Sequence, residues 1–220
     1  MTITITSLAL QRGTRWLYED INLQIKAGEV IVLRGANGSG KSSLLRAIAG
    51  FLPLAEGAIL YQDSPLRLQA EDCPIRASWY GQSDGLSGAF TARQNLAVKA
   101  GINGAAPDIS TLLAEDIFGL ADFLDIETRF LSTGQRQRLA LSGLQFNLGE
   151  KSLWLLDEPN SGLDAGGRTA FETLLSAHQQ KGGYAVIASH IPLSKATTHT
   201  KFDISTVSYT HLTLPTILLV

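Results

Sequence analysis

Residues 35–42 read Gly35-Ala36-Asn37-Gly38-Ser39-Gly40-Lys41-Ser42, a glycine-rich loop ending in a cation and a hydroxyl. The run fits G-x-x-x-x-G-K-[ST]. Its glycines let the backbone turn N–H groups inward around phosphates, and a helix starting at its end adds the positive end of a dipole. Lys41 is a point charge for the β and γ phosphates of a nucleoside triphosphate. The Ser42 hydroxyl is suited to Mg²⁺, and Ser43 stands beside it in the first turn. Far downstream, Leu153-Trp154-Leu155-Leu156 runs straight into Asp157-Glu158. An apolar strand ending in two acids is costly unless they face a cation or polar ligand. Asp157 suits an acid that holds Mg²⁺, and Glu158 a carboxylate that polarises attacking water. Together the two stretches describe cleavage of a nucleoside triphosphate.

Such groups need a scaffold that brings them together. Val30-Ile31-Val32-Leu33 is a short continuous apolar run, which predicts a strand buried on both faces. After the loop, KSSLLRAIAG predicts a helix with Leu44, Leu45 and Ile48 on one face and Gly50 at its end. Residues 1–10 and about 20–26 predict two strands joined through a turn at Gly13, and 58–61 and 75–80 predict two more. From about 91 to 130 the pattern turns helical, with Leu112, Leu113, Ile117 and Leu120 at a 3.6 period. A helix after Ser132, the strand at 153–156, a helix at 168–181 stopped by Gly182-Gly183, and the strand YAVIAS then alternate as βαβ units do. The expectation is one α/β domain over 1–200 with a helical insert at about 85–150, followed by a tail at 201–220.

Leu131-Ser132-Thr133-Gly134-Gln135, followed by RQRLALSGL, resembles the LSGGQ signature of ABC ATPases. Ser132 can cap a helix whose N-terminus then points at an anion. More matches follow in that family's order over roughly 3–195. Ser161-Gly162-Leu163-Asp164 resembles the D-loop, which crosses a dimer interface. His190 closes YAVIAS where the family has its switch histidine, within reach of the γ-phosphate and the base. Gln82 stands where the family has its Q-loop glutamine, a second residue on the metal side. The resemblance implies a P-loop fold with a RecA-like core, an antiparallel β subdomain and a helical insert. It implies ATP and Mg²⁺ as ligands, and an ATP-dependent homodimer in which each signature meets the partner's nucleotide. Catalysis would rest on Lys41, Gln82, Glu158 and His190, and the metal on Ser42, Gln82 and Asp157.

Two positions depart from the pattern. The family places an aromatic residue near position 12 to stack on adenine, and here that residue is Arg12, with Trp16 close by. A guanidinium also stacks on bases. Thr133 replaces one glycine of the signature, which requires a negative φ there.

Within the family, the short insert, LSTGQRQRLAL, LWLLDEP and the stretch from Lys181 to Leu193 are similar to the ATP-binding subunits of haem exporters that serve c-type cytochrome assembly. That likeness implies separate integral membrane subunits and a peripheral place on the cytoplasmic face of a bacterial inner membrane. Two rivals are an ABC ATPase of another small exporter and a soluble one of iron–sulfur cluster assembly. Cassettes acting on nucleic acid or ribosomes usually come in tandem or with a coiled-coil arm, and this chain has one phosphate loop.

Composition agrees. Apolar residues make up 45% and charged residues 17%, as in a folded globular protein. A net charge of −2 announces no nucleic-acid surface. One cysteine, Cys73, cannot build a disulfide framework. The opening residues lack the pattern of a signal peptide, and no apolar run reaches the roughly 18–20 residues of a spanning helix. His178, His199 and His211 read as surface residues. The tail from about 201 reads as apolar sequence of uncertain origin.

Overall fold

The computed structural model describes residues 1–81, 83–104, 116–194 and 197–204. Two sheets organise the chain. In the first, β1 (Thr2–Arg12), β2 (Arg15–Lys26), β4 (Glu56–Tyr61) and β5 (Ser64–Pro65) form an antiparallel sheet in the order β2-β1-β4-β5. The second takes β3 (Val30–Arg34), β6 (Arg76–Tyr80), β7 (Ser152–Asp157), β8 (Tyr184–Ala188) and β9 (Thr200–Asp203) in the order β6-β7-β8-β3-β9. All its pairings are parallel.

The continuous apolar runs are explained by two cores. Along β3, Val30 and Val32 enter one core while Ile31 and Leu33 enter the other. On β7, Trp154 and Leu156 part from Leu153 and Leu155 in the same way. A strand of period 2 buried on both faces has no polar side, so no alternation shows in its sequence. One core lies between the parallel sheet, the antiparallel sheet and α1 (Lys41–Ile48), which contributes Leu44, Leu45 and Ile48. The other lies under α2 (Ala92–Ile102), α3 (Thr133–Ser142) and α4 (Ala165–Gln180).

Three expectations are corrected. Ile117 and Leu120 do not continue a helix. Asp116, at φ 29°, accepts from the N–H groups of Leu120 and Ala121 at 2.7 and 3.0 Å, which closes a turn instead. Leu112 and Leu113 lie outside the described residues, and the helical structure described between 91 and 130 is α2 with short 3₁₀ turns at Ala121–Phe123 and Thr128–Phe130. The break at 200 falls on the first residue of β9, which pairs in parallel with β3 through Asp203. Sheet structure therefore passes the expected boundary, while 205–220 lie outside the described residues.

His178 is the third. It is fully buried, stacked on the Trp154 indole at 3.7 Å between ring centroids and 9° between planes. Its Nδ1 accepts from the Gly149 N–H at 3.1 Å, so Nε2 carries the proton that bonds the Tyr184 carbonyl at 3.1 Å. The signal was present in the sequence. Phe171, Leu174, Leu175 and His178 recur at the spacing of one helix face, and that face is the buried one. His199 is partly buried, with Nδ1 facing the Thr197 carbonyl at 2.8 Å, and His211 is outside the described residues. Cys73 is half-buried and free, as expected.

Candidate nucleotide site

The glycine-rich loop joins β3 to α1, so its position is set by the central region of a buried sheet. Gly40, the residue capping α1, has φ 92°, and a Cβ there would strike the Tyr18 hydroxyl. That hydroxyl donates to the Ser39 carbonyl and pins the loop to β2. Glycine is therefore needed both for its backbone angle and for its missing side chain. No side chain caps α1, so its first N–H groups face the loop's concavity. Lys41 is buried, and its Nζ donates to the Gly35 and Ala36 carbonyls at 2.8 and 3.0 Å. The ammonium is thus stored inside the loop that a phosphate would enter.

β7 delivers the acids to the same place. Ser42 Oγ donates to Asp157 Oδ1 at 2.9 Å. A hydroxyl and a carboxylate so close form a hard oxygen pair of the kind Mg²⁺ takes, its other positions being filled by water and substrate phosphates. Glu158 follows with φ 53°, a left-handed conformation that costs a non-glycine residue on the order of 1 kcal/mol. Its N–H donates to the Ala188 carbonyl at 2.8 Å, which fixes the strained turn against β8. The Glu158 carboxylate meets His190: Oε2 lies 2.8 Å from Nδ1 and accepts from the His190 N–H at 3.3 Å. The carboxylate is 30% exposed and the imidazole 63%, so both are open to solvent.

The signature stretch forms the N-terminus of α3 with a complete capping box. Gln135 N–H donates to Ser132 Oγ at 3.2 Å, and Ser132 N–H donates to Gln135 Oε1 at 2.9 Å. Such a cap is worth about 1 kcal/mol. It leaves the Thr133 and Gly134 N–H groups at the helix end. Thr133 is the first helical residue and has the negative φ its side chain requires. Two contacts tie α3 to the 161–164 turn: Gln137 Nε2 donates to the Ser161 carbonyl, and Arg138 pairs with Asp164. Asp164 also caps α4, accepting from the Gly167 N–H at 2.7 Å, and that bond, with Arg138 nearby, holds its carboxyl below the usual range.

A cleft of about 710 Å³ collects most of these groups. Arg12, Asn37, Gly38, Gly40, Lys41, Ser42, Ser43, Asp157, Glu158, Thr133 and Ser161 all line it. Arg12 thus reaches the site, whereas Trp16 is exposed and does not line it. His190 joins through Glu158. Leu131, Ser132, Gly134, Gln135, Gly162, Leu163 and Asp164 do not line the cleft, and Gln82 lies outside the described residues. Sequence reasoning missed Leu17, Tyr80, Asp84, Arg136 and Gln137, which also line the cleft. Leu17 falls at the register shift between Leu10 and Gln11 on β1 and their partners on β2, which no local sequence signal marks.

The family model described as ABC transporter matches residues 18–161, well over half the chain. The chain belongs to the ABC transporter family. It is accordingly a nucleotide-binding ATPase with the α/β fold of that family's ATP-binding proteins. Among similar curated proteins, the cytochrome c biogenesis ATP-binding export protein CcmA of Albidiferax ferrireducens is 36% identical over 192 residues, covering 86% of this chain and 90% of its own. The protein of the same name from Nitrosococcus oceani is 37% identical, covering 86% and 85%. An ABC transporter ATP-binding protein from Pyrococcus furiosus superposes with a TM-score of 0.79 at 20% identity, over 95% of this chain and all of that one, and so supports the fold alone. Among the described residues no helix is long and apolar enough to cross a membrane. An ABC ATPase of this kind acts with membrane partners.

Proposed function

We propose that this chain is the ATP-hydrolysing subunit of a haem exporter that serves c-type cytochrome assembly, peripheral to the cytoplasmic face of a bacterial inner membrane. One observation carries the export reading: relatives named as cytochrome c biogenesis ATP-binding export proteins match it at 33–38% identity over most of both chains. Haem itself is supported by the short insert and the 181–193 stretch, which resemble that subfamily. No haem-binding residues are needed in a motor, whose task is to turn hydrolysis into movement of its partners.

The roles follow from the cleft. Loop N–H groups and the N-terminus of α1 cradle the phosphates, and Lys41 exchanges its carbonyl partners for the β and γ oxygens. Ser42 and Asp157 would hold Mg²⁺, and the family resemblance adds Gln82 to that set; the ion would neutralise charge on the β and γ phosphates. Glu158 takes a proton from attacking water, and His190 orients that carboxylate. Arg12 stacks on the base in place of an aromatic ring. The signature residues Leu131, Ser132, Thr133, Gly134 and Gln135 form a capped helix end; of the five, Thr133 lines this chain's own cleft and the other four do not. This supports a head-to-tail homodimer in which that end meets the partner's γ-phosphate, across turns carrying Ser161, Gly162, Leu163 and Asp164.

Affinity purification of the tagged full chain from detergent-solubilised membranes tests the assignment. Integral membrane subunits from a gene cluster that also encodes haem-handling proteins should be recovered. Recovery with a soluble iron–sulfur scaffold, or with the membrane subunits of a different exporter, would overturn the haem reading.

A further inference from the structure

The arginine one turn into α3 makes contacts that the proposed cycle has not used. Arg136 Nε donates to Asp84 Oδ2 at 2.8 Å, and Nη2 lies 2.7 Å from the same oxygen. Nη1 donates in the other direction, to the Thr128 carbonyl at 3.1 Å. Both charged side chains are largely covered, with 28% of Arg136 and 22% of Asp84 exposed. A pair so shielded is neither free to wander nor weakened to the level of a surface ion pair.

Each end of this bridge is anchored. Asp84 belongs to the loop that leaves β6, and its Oδ1 accepts from the Leu86 N–H at 3.1 Å. Thr128 is fully buried, and its Oγ1 donates to the Phe90 carbonyl at 2.8 Å. Asn95 of α2, itself 4% exposed, donates to Thr128 Oγ1 at 2.8 Å and closes on Ser87 through both its amide ends. One guanidinium therefore connects the 84–90 loop, the start of α2 and the signature helix. The Arg136 N–H donates to the Ser132 carbonyl at 2.9 Å, so the anchored residue closes the first turn of the end proposed to meet nucleotide.

On this geometry we infer that Arg136 is a positioning residue for hydrolysis, fixing the aim of the Thr133 and Gly134 N–H groups through its bridge from Asp84 to Thr128. The inference rests on the reading that this helix end meets nucleotide. On the other flank α3 is held by Gln137 at Ser161 and Arg138 at Asp164. Loss of the Arg136 bridge leaves a helix clamped on one side, free to rotate about the other. Arginine is required because a planar fork serves a carboxylate and a carbonyl at once, which the point charge of lysine does not.

Steady-state ATPase of the full chain assembled with its membrane subunits reads this out. In Arg136→Gln, kcat should fall about 10–100-fold, as a misaimed group of order 1 Å costs, while KM for ATP stays within about twofold. Arg136→Lys should recover part of the loss. Asp84→Asn should lower kcat in the same way, and the double variant should be no worse than Arg136→Gln alone. Denaturant unfolding of each variant separates a folding defect from misaim; if Arg136→Gln does not fold, Asp84→Asn alone decides by the same split. Unchanged kcat, a change confined to KM, or losses that multiply in the double variant would overturn the inference. Ser132→Arg in parallel distinguishes the two layers. Retained hydrolysis there removes the nucleotide-facing role of α3 and the inference with it. Abolished hydrolysis there, with an indifferent Arg136→Gln, removes the inference alone.

Discussion

Acidification should loosen this protein through a single buried imidazole. His178 bonds the Gly149 N–H and the Tyr184 carbonyl as a neutral ring, and burial pushes its pKa down from 6.5 to about 4, opposed by the Tyr184 bond. A second proton on Nδ1 would face the Gly149 N–H and remove an acceptor. Since the folded pKa lies below the unfolded one, the stabilisation is fully present above about pH 6.5 and is lost as pH falls toward 4. Linkage between those two values gives a loss of about 2 kcal/mol on going from pH 7 to pH 5. In a domain of this size that corresponds to a fall in Tm of roughly 4–8 °C. Equilibrium urea unfolding of the wild type at both pH values measures it, with His178→Gln as the comparison. The variant should be weaker at pH 7, having lost the stack on Trp154, yet should lose little more on acidification. Equal acid sensitivity in both proteins, or none in the wild type, would refute the reasoning.

Four further outcomes are expected at the site. Glu158→Gln should bind ATP yet turn it over about 10²–10⁴-fold more slowly, the usual worth of a positioned acid–base group, as a single-turnover assay would measure. Lys41→Ala should abolish ATP binding itself in a labelled-nucleotide titration, because wild-type affinity there would mean that the buried ammonium does not face phosphates. Ser132→Arg should end hydrolysis while each monomer still binds nucleotide. Light scattering of Glu158→Gln should show a dimer only with Mg-ATP, and a protein that stays monomeric even beside its membrane subunits would rule out the head-to-tail arrangement.

What could be read ahead of the structure divides along physical lines. The loop at 35–42 and the acids at 157–158 were legible because their chemistry demands fixed residue types at fixed spacing, and β3, β7 and β8 were legible as unbroken apolar runs. Contacts between distant segments were not. Asp84 and Arg136 lie far apart in the chain and carry ordinary surface residue types, so nothing local marks them as a pair. Ile117 and Leu120 kept helical spacing, but Asp116 spent its carboxylate on the N–H groups a helix would have used. His178 was misread because residue type outweighed position, although Phe171, Leu174 and Leu175 had already marked its face as buried.

The order in which strands enter the parallel sheet has a consequence for synthesis. Among the described residues β3, which bears the phosphate loop at its end, pairs with β8 and β9, so Val30–Leu33 find their partners in Ala185–Ala188 and beyond. About 150 residues must be translated between the two, which at 5–20 residues per second takes roughly 8–30 s. Through that interval the apolar segment Val30–Leu33 lacks the strands it pairs with in the folded protein. The antiparallel hairpin of β1 and β2 can close early, but it cannot supply those hydrogen bonds. The nucleotide site is therefore among the last parts of the protein to exist, and a chain halted between residues 43 and 183 carries the complete loop sequence without the sheet that shapes it.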